Sequence, residues 1–534
     1  MMKLASARGA KNRGVALITV IGLLLVLLVF AGGLVTQLAM EVNSVKQHGV
    51  SNVALSAADA GIHGMVAAIQ EAAINNVAPP AGPLVYNYPE AVGPSTVSYS
   101  VQLDQTWPVN GLVYYRITSI GSVDNGIEKQ KRIVSAIVRS QPYARYASFS
   151  IYEVNKYGNP VWYRYDQTFD GPVYSGGPMR IDYQDGVKLP IFQQGVTTLN
   201  TPVWAPSAPG NPTDWAAVSN GSQNFTIDST ALALPQPSSD IVVASEAWEG
   251  DGNNTFSSGF PSVPPGVYIN GKNAATGGGT IMSGIFVNVN GTAPGNNVLI
   301  DSSVVGNTET MTFSSPVKGF GAPYTVTINF TGPDTGTTTV TQGTNSKTYA
   351  GVPSGEPGPS NPNTGNGAIF VDGNIVFGNK NPDVTLRGEL TFATPDYSKN
   401  TGSIYIDGNV KYADSTRDKT ALWADDIYMN TTASNLEVDA SIIAGFPGEV
   451  WSDGNFSNIH CNKFNCGSKD QGTLTILGGL IENDRGAVGE WVGPTHTGFT
   501  RVINYDSRLA ADPPPFNPTT GAFNLIAWDD LGTP

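Results

Sequence analysis

The chain has 534 residues, a formal net charge of −14, 61 glycines, 37 prolines and only 13% charged residues. Such a length exceeds one ordinary core and predicts two or three domains, while a charged fraction about half the roughly 25% of typical globular proteins predicts a turn-rich, extracellular, mostly-β body. The acidic balance argues against a general nucleic-acid surface, which needs clustered Lys and Arg, and recurrent aromatic and β-branched runs argue against full disorder.

Lys3, Arg8, Lys11 and Arg13 precede residues 15–40, a run of 26 without charge. As a helix this run reaches about 39 Å, more than the roughly 30 Å hydrocarbon core, so it is long enough to span a membrane with tilt. After it, Lys46 is the only Lys or Arg before Arg116. The positive-inside bias therefore predicts a cytoplasmic N-terminus and an external body. A secretory signal carries its small-residue cleavage site after the apolar core. Here Gly14 stands before it, so a cut there would leave the apolar helix on the mature chain. An uncleaved signal anchor stays open as the alternative. Residues 41–74 continue as an amphipathic helix through Val42, Val45, Val53, Leu55, Ala58, Ile62, Met65 and Ile69. Asn75, Asn76, Pro79 and Pro80 end it. Residues 15–74 would form one helix of about 90 Å at the standard rise, with Gly22, Gly32 and Gly33 as weak points.

The basic leader with Gly14 before the apolar run resembles the class III leader of type IV pilins and type II secretion pseudopilins. With Ala57-Ala58-Asp59-Ala60-Gly61-Ile62, the first 75 residues or so resemble PilX-type minor pilins, which carry an Ala-Ala-Glu-Ala-Gly-like patch near the end of the first helix. Gly14-Val15-Ala16-Leu17-Ile18-Thr19 is also similar to the K-type minor pseudopilin. The resemblance implies a prepilin peptidase cut between Gly14 and Val15, with methylation of the new N-terminus, and assembly with other pilin or pseudopilin subunits. Major pilins keep a glutamate at the fifth mature position, thought to pair with a neighbouring subunit's terminal amine. Here that position is Thr19, which has no charge to pair in a lipid-buried layer. Thr19 is either a tolerated substitution or the sign of a subunit at or near the fibre tip, the place implied for the K-type pseudopilin, which also lacks the glutamate.

Residues 96–138 alternate as three strands, with Asp124-Asn125-Gly126 as a turn, and predict an antiparallel pilin-like head. Residues 143–174 are rich in Tyr, Phe and Trp. Carbohydrate stacking is one use of such a segment; strand core and cross-strand pairs are the commoner one. Asp170-Gly171-Pro172-Val173-Tyr174-Ser175-Gly176-Gly177, and the segments Leu189-Pro190-Ile191-Phe192 and Gly195-Val196-Thr197, resemble an uncharacterised domain found after PilX-type N-termini. Ala368-Ile369-Phe370-Val371-Asp372-Gly373-Asn374-Ile375 recurs 35 residues later as Ser403-Ile404-Tyr405-Ile406-Asp407-Gly408-Asn409-Val410. Looser copies begin at Gly266 and Gly284. Short β-runs closed by Asx and Gly, with no amphipathic helices between them, predict stacked coils of a β-helix, with a sandwich as the alternative. Residues 296–350 interrupt the pattern as an inserted hairpin region. Tyr505-Asp506-Ser507-Arg508-Leu509 and Pro513-Pro514-Pro515-Phe516 resemble closing segments of large PilX-like proteins; a proline run is also an ordinary extended tail.

For chemistry, Asp251, Asp372 and Asp407 are candidate Ca²⁺ ligands, but each motif supplies too few of the six to eight oxygens needed and suits a turn equally. Asp425 and Asp426 are neighbours on one strand, point to opposite faces and make a poor acid/base pair. Cys461 and Cys466, beside His460, predict a disulfide in an oxidising exterior and supply too few ligands for structural zinc by themselves. None of His48, His63, His460 and His496 falls in HExxH spacing, and no GxSxG elbow or phosphate loop occurs.

The expected architecture is α+β: leader 1–14, helix 15–75 with 15–40 transmembrane, β head 79–141, a β-rich domain with inserted hairpins 142–352, linker 353–367, and a β-helix-like domain with a Pro-rich tail 368–534. The expected role is a non-enzymatic minor pilin or pseudopilin, held in the inner membrane and then in a fibre at the cell surface or in the periplasm. No cofactor is expected beyond the calcium option. A tip adhesin binding a surface glycan or protein, and a membrane-anchored polysaccharide-acting β-helix enzyme, are the alternatives.

Overall fold

A computed structural model gives the fold. It describes residues 11–533 apart from 75–76, 89–95, 110, 125, 127–128, 165–166, 183–189, 206–224, 229–230, 235–240, 242–262, 292, 294, 356–364, 379–382, 395–401, 431–433, 446–453, 462–465, 468 and 493–494, and the backbone alone for 11–19, 74, 205 and 492. The chain divides into a head unit (Met1–Trp107, Tyr114–Arg139 and Phe523–Pro534) and a body unit (Pro108–Val113 and Ser140–Ala522). One long apolar N-terminal helix is followed by a large, mostly-β remainder.

In the head, a single helix runs from Lys11 to Ile74. Its two halves differ. Leu23, Leu28, Phe30, Leu34, Val35 and Met40 are all more than half exposed, whereas Ala54, Ala57, Ala58, Ile62, Met65, Ile69 and Ala72 are buried. The buried set recurs at three- and four-residue steps, the spacing of one helix face. That face packs on a sheet in the order β1 (Leu84–Asn87), β2 (Thr96–Val109), β3 (Leu112–Asp124), β4 (Lys129–Pro142) and finally the C-terminal strand Thr519–Gly532. β3 and β4 pair antiparallel from Tyr114↔Arg139 to Asp124↔Lys129. At their turn Gly126 (φ 81°) donates its N–H to Asp124 Oδ1 at 2.9 Å.

The C-terminal strand corrects the expected tail. Residues 519–532 complete the head sheet, since a three-stranded head would leave β4 an open edge with unpaired backbone groups. Arg132 pairs with Asp530. The Tyr115 and Phe523 rings lie 5.5 Å apart, and Trp528 Nε1 donates to Asp59 Oδ1 at 3.1 Å.

The body is built of parallel ladders. One runs through Ile285–Asn288, Ala368–Asp372, Glu389–Ala393, Lys419–Ala424, Leu436–Ala444 and Asp470–Asp484. It continues, from Leu480↔Ser148, into Ser148–Tyr152, Val173–Ser175, Val196–Thr198 and Phe225–Ile227. A second ladder holds Asn297–Val305, Asn374–Phe377, Ser403–Ile406, Asp426–Met429 and Phe456–Asn458. A third holds Val384–Leu386, Val410–Tyr412, parts of Leu436–Ala444 and Asp470–Asp484, then Thr495–Tyr505, Thr168–Phe169 and Ile191–Phe192. From Ala368 to Asp484 successive circuits of the chain thus leave one strand in each ladder, whereas in the circuits from Ser148 to Ile227 the strands Arg180–Asp182 and Val203–Ala205 pair with each other in a separate parallel sheet. The stacking order is not the chain order: the chain enters the stack in the middle at Ser148, reaches one end near Phe225, restarts at the other and returns to the seam at Leu480.

The 35-residue repeat is a repeat of corners and not of circuits. Ala368–Asp372 and Asn374–Phe377 turn from the first ladder to the second, whereas Ser403–Ile406 and Val410–Tyr412 turn from the second to the third. The Asp-Gly-Asn signal marks a sharp bend wherever one is needed. The looser copy at Gly266 ends in a hairpin turn, with Asn270 and Gly271 at φ 51° and 65° and Ile269 paired to Lys272. Residues 297–350 form an antiparallel meander whose first strand sits in the second ladder.

Apolar side chains fill the interior of the coils. A second buried cluster, including Tyr143, Phe149, Tyr174, Phe286, Phe370 and Trp423, lies along the first ladder. Much of the tyrosine-rich segment is therefore core. The proline run is packed as well, in contrast to an ordinary extended tail. Pro513, Pro514 and Pro515 are buried, Thr391 Oγ1 bonds to Pro515 O, and Tyr143 N–H donates to Pro518 O at 3.1 Å. Strands buried on both faces, such as Lys419–Ala424, need this cover.

Candidate functional site

Gly14, Val15 and Thr19 lie on the N-terminal helix, whose backbone is helical from Lys11. Their side chains fall outside the described residues, as does the segment 1–10. From Val20 onward the helix is long and apolar enough to cross a membrane, with its most apolar window wholly uncovered.

The Ala-Ala-Asp-Ala-Gly patch has a physical role. A Cβ on Gly121 of β3 would stand 1.9 Å from Ala54 O and 2.4 Å from Ala58 N, and one on Gly61 would stand 2.2 Å from Ser119 Oγ. Helix and sheet touch backbone to backbone here, so the small residues set the approach. Asp59, on the opposite side of the patch, is left for Trp528 and for His63, 3.7 Å away.

In the body, a cleft of about 460 Å³ opens beside the hairpin Gly489–Val492/Thr495–Tyr505. Its walls include Trp162, Trp491, Asn155, Asn159, Gln167 and Arg164. Trp491 and His496 are cross-strand partners with ring centroids 5.0 Å apart. The Arg164 guanidinium lies 5.4 Å from the Trp491 ring, and its Nε is 3.6 Å from Asp182 Oδ2. His496 Nδ1 is 3.1 Å from Asp470 Oδ1. The Gly472 amide, and then His496, hold the Asp470 carboxyl below the usual carboxylate range. Burial pushes the Glu490 carboxyl up.

Beneath the cleft lie two buried ion pairs. Arg485 Nη1 is 3.4 Å from Glu153 Oε2, and Arg501 Nη1 is 3.4 Å from Glu482 Oε1. Arg485 also donates to Gln167 Oε1 at 3.2 Å, and its guanidinium sits 3.4 Å from the Tyr163 ring centroid. Tyr163 O–H donates to Glu153 Oε1 at 3.0 Å, and Arg501 Nη2 donates to Gly486 O at 2.9 Å. Burial raises the Glu482 carboxyl and lowers the Arg501 guanidinium. Sequence reading missed this group, because Glu482 and Arg485 in Ile481-Glu482-Asn483-Asp484-Arg485 have the charge of an exposed loop.

The remaining candidates are scattered. Cys461 and Cys466 are joined by a disulfide. Asp407 accepts from Asn430 at 2.9 Å, and Asp426 from Tyr428 and Asn455, both at 2.7 Å. Asp372 closes a first-ladder strand, its carbonyl accepting from Val289 and Gly291. Asp425 is buried, and Asp251 lies outside the described residues. Among the described residues, no group of three or more His, Cys, Asp or Glu is placed to hold a metal ion.

No family model matches the chain, and no curated protein matches it. Among solved structures, the competence-associated pilin ComZ from Thermus thermophilus is similar at 13% identity and a TM-score of 0.28, over 90% of this chain and 98% of that one. A superposition that loose carries no argument about what this chain does.

Proposed function

We propose that the chain is a minor pilin- or pseudopilin-type fibre subunit. One observation carries the reading: a continuous helix whose second half is sealed onto its own sheet while its apolar first half is bare. A simple membrane anchor has no need of an unbroken helix continuing into a sheet. A subunit whose bare half leaves lipid to pack among other subunits' helices does need one, with apolar packing as the driving term. In this reading a prepilin peptidase cuts between Gly14 and Val15. The subunit waits in the inner membrane with its N-terminus in the cytoplasm. It then enters a fibre at the cell surface or in the periplasm, at or near the tip, where Thr19 needs no charged partner. The body is of the β-helix type rather than a sandwich, a reading that rests on its long parallel ladders. Its role is display without catalysis, and no resident cofactor is included.

Intact mass and N-terminal sequencing of the membrane-extracted protein, with and without active prepilin peptidase, test this. A mature N-terminus at Val15 appearing only with the peptidase supports the pilin route. An unprocessed N-terminus in both samples makes the helix a signal anchor. Thr19→Glu separates tip from shaft: unchanged or poorer incorporation is expected, and a clear gain along the fibre would count against the tip.

A further inference from the structure

We infer that the cleft bounded by Trp162 and Trp491 is a binding site for a neutral saccharide. The inference deepens the display role proposed above but does not depend on fibre assembly, because every residue it uses lies in the body.

Three features point to this ligand class. The volume, about 460 Å³, falls within the range of small-molecule sites. The lining joins two half-buried indoles to the planar amide and guanidinium groups of Asn155, Asn159, Gln167 and Arg164. Indole offers an apolar face to the C–H side of a sugar ring, and planar amides and guanidinium can bond to neighbouring hydroxyls. The charges are spent internally: Arg485 on Glu153, Arg501 on Glu482, Arg164 on Asp182 and His496 on Asp470. Glu490 adds a carboxyl to the lining and disfavours an acidic ligand.

The floor strengthens the case. Replacing a buried ion pair by apolar residues is often neutral or stabilising, so two such pairs under one cleft are weak candidates for stability alone. They hold Gly486 through both its N–H, bonded to Glu482 Oε2 at 2.8 Å, and its carbonyl, bonded to Arg501. They thereby fix the strand that leads into Trp491. Arg485 and Arg501 are 1% and 3% exposed and line the cleft, and the Nε of each has no partner among the described residues. Both Nε atoms are enclosed and belong to the packing of the floor, not to the surface offered to a ligand.

The test uses the full-length chain in a zwitterionic detergent, since maltoside detergents are themselves sugars. The probes are cellobiose, lactose and N,N′-diacetylchitobiose against the acidic digalacturonate and 3′-sialyllactose. The readouts are saturation-transfer NMR and tryptophan fluorescence. At least one neutral disaccharide should bind. Trp162→Ala and Trp491→Ala should each weaken it by about tenfold with the near-ultraviolet circular dichroism of the body otherwise kept. Trp528→Ala in the head should leave binding unchanged. Should Trp491→Ala misfold, Glu490→Gln serves as the second variant: it should improve binding of the acidic probes relative to the parent chain. The inference is overturned if no neutral probe binds, if the acidic probes bind better to the parent chain, or if binding survives both tryptophan variants. None of these outcomes depends on processing at Gly14, so the fibre reading stands or falls separately.

Discussion

Arg501→Met tests the buried charge group most directly. Arg501 and Glu482 are 3% and 1% exposed, and their nearest charged atoms are 3.4 Å apart. Methionine would occupy similar space and leave Glu482 with the N–H groups of Gly486 and Phe456 but no cation in contact. Removing one partner of a buried pair costs about 3–5 kcal/mol. Glu482→Leu/Arg501→Met removes both charges and leaves those two N–H groups without their carboxylate, a cost of about 1–3 kcal/mol each at most. Together these come to about 2–6 kcal/mol, which overlaps the single variant's loss, so what should set the double variant apart is the absence of the single variant's pH dependence. The pH dependence has a definite sign. The Glu482 carboxyl, already raised by burial, should rise further in the single variant, so the folded state holds a proton that the unfolded state releases above the ordinary glutamate value of 4.5. Stability of Arg501→Met relative to the parent should then fall as pH rises above that value and recover on acidification. Urea unfolding followed by near-ultraviolet circular dichroism at pH 5 and pH 7.5 measures both effects. A loss below about 1 kcal/mol in the single variant, or a double variant that keeps the single variant's pH dependence, would refute the account of the pair as a coupled buried unit.

Other expectations follow from close contacts and burial. Gly121→Val pushes side-chain atoms onto the Ala54 and Ala58 backbone and should destabilise the head by about 3 kcal/mol or more, seen as faster thermolysin cleavage of the helix–sheet region. Burial raises the Glu309 carboxyl from 4.5 to about 8 in the hairpin meander. Stability should therefore fall as pH rises from 4.5 to about 8 and level off above it, and Glu309→Gln should remove that dependence in a thermal-melt series. Cys461→Ser/Cys466→Ser opens a loop with a sequence separation of only 5. It should cost no more than about 2 kcal/mol, measured by urea unfolding under matched redox conditions.

The helix was the most legible part of the chain. Its uncharged run, the three- and four-residue steps from Ala54 to Ala72 and the Asn and Pro stop signals all act within one element, so the sequence carries them whole. The corners at Gly373 and Gly408 were legible for the same reason. The order of strands was not. Leu480 pairs with Ser148 across more than three hundred residues, and a short apolar run does not state which other run it will meet. Residues 519–532 belong to the head although they follow the whole body, and only the need to cover β4 explains their position. In the candidate cleft, Trp162 sits within the tyrosine-rich segment in which Tyr143, Tyr146, Phe149, Tyr163, Phe169 and Tyr174 are core. Sequence reading therefore gave it the same meaning as Phe149, which is fully buried.

The mid-stack entry and exit of the body have a consequence for how such a chain can change over generations. Both outer ends of the stack, near Phe225 and Gly266, lie away from the seam where the chain enters and leaves. A coil gained or lost at either end leaves the seam between Leu480 and Ser148 untouched. The body can lengthen, shorten or exchange its terminal coils by duplication or deletion, while the helix and sheet of the head keep one constant form.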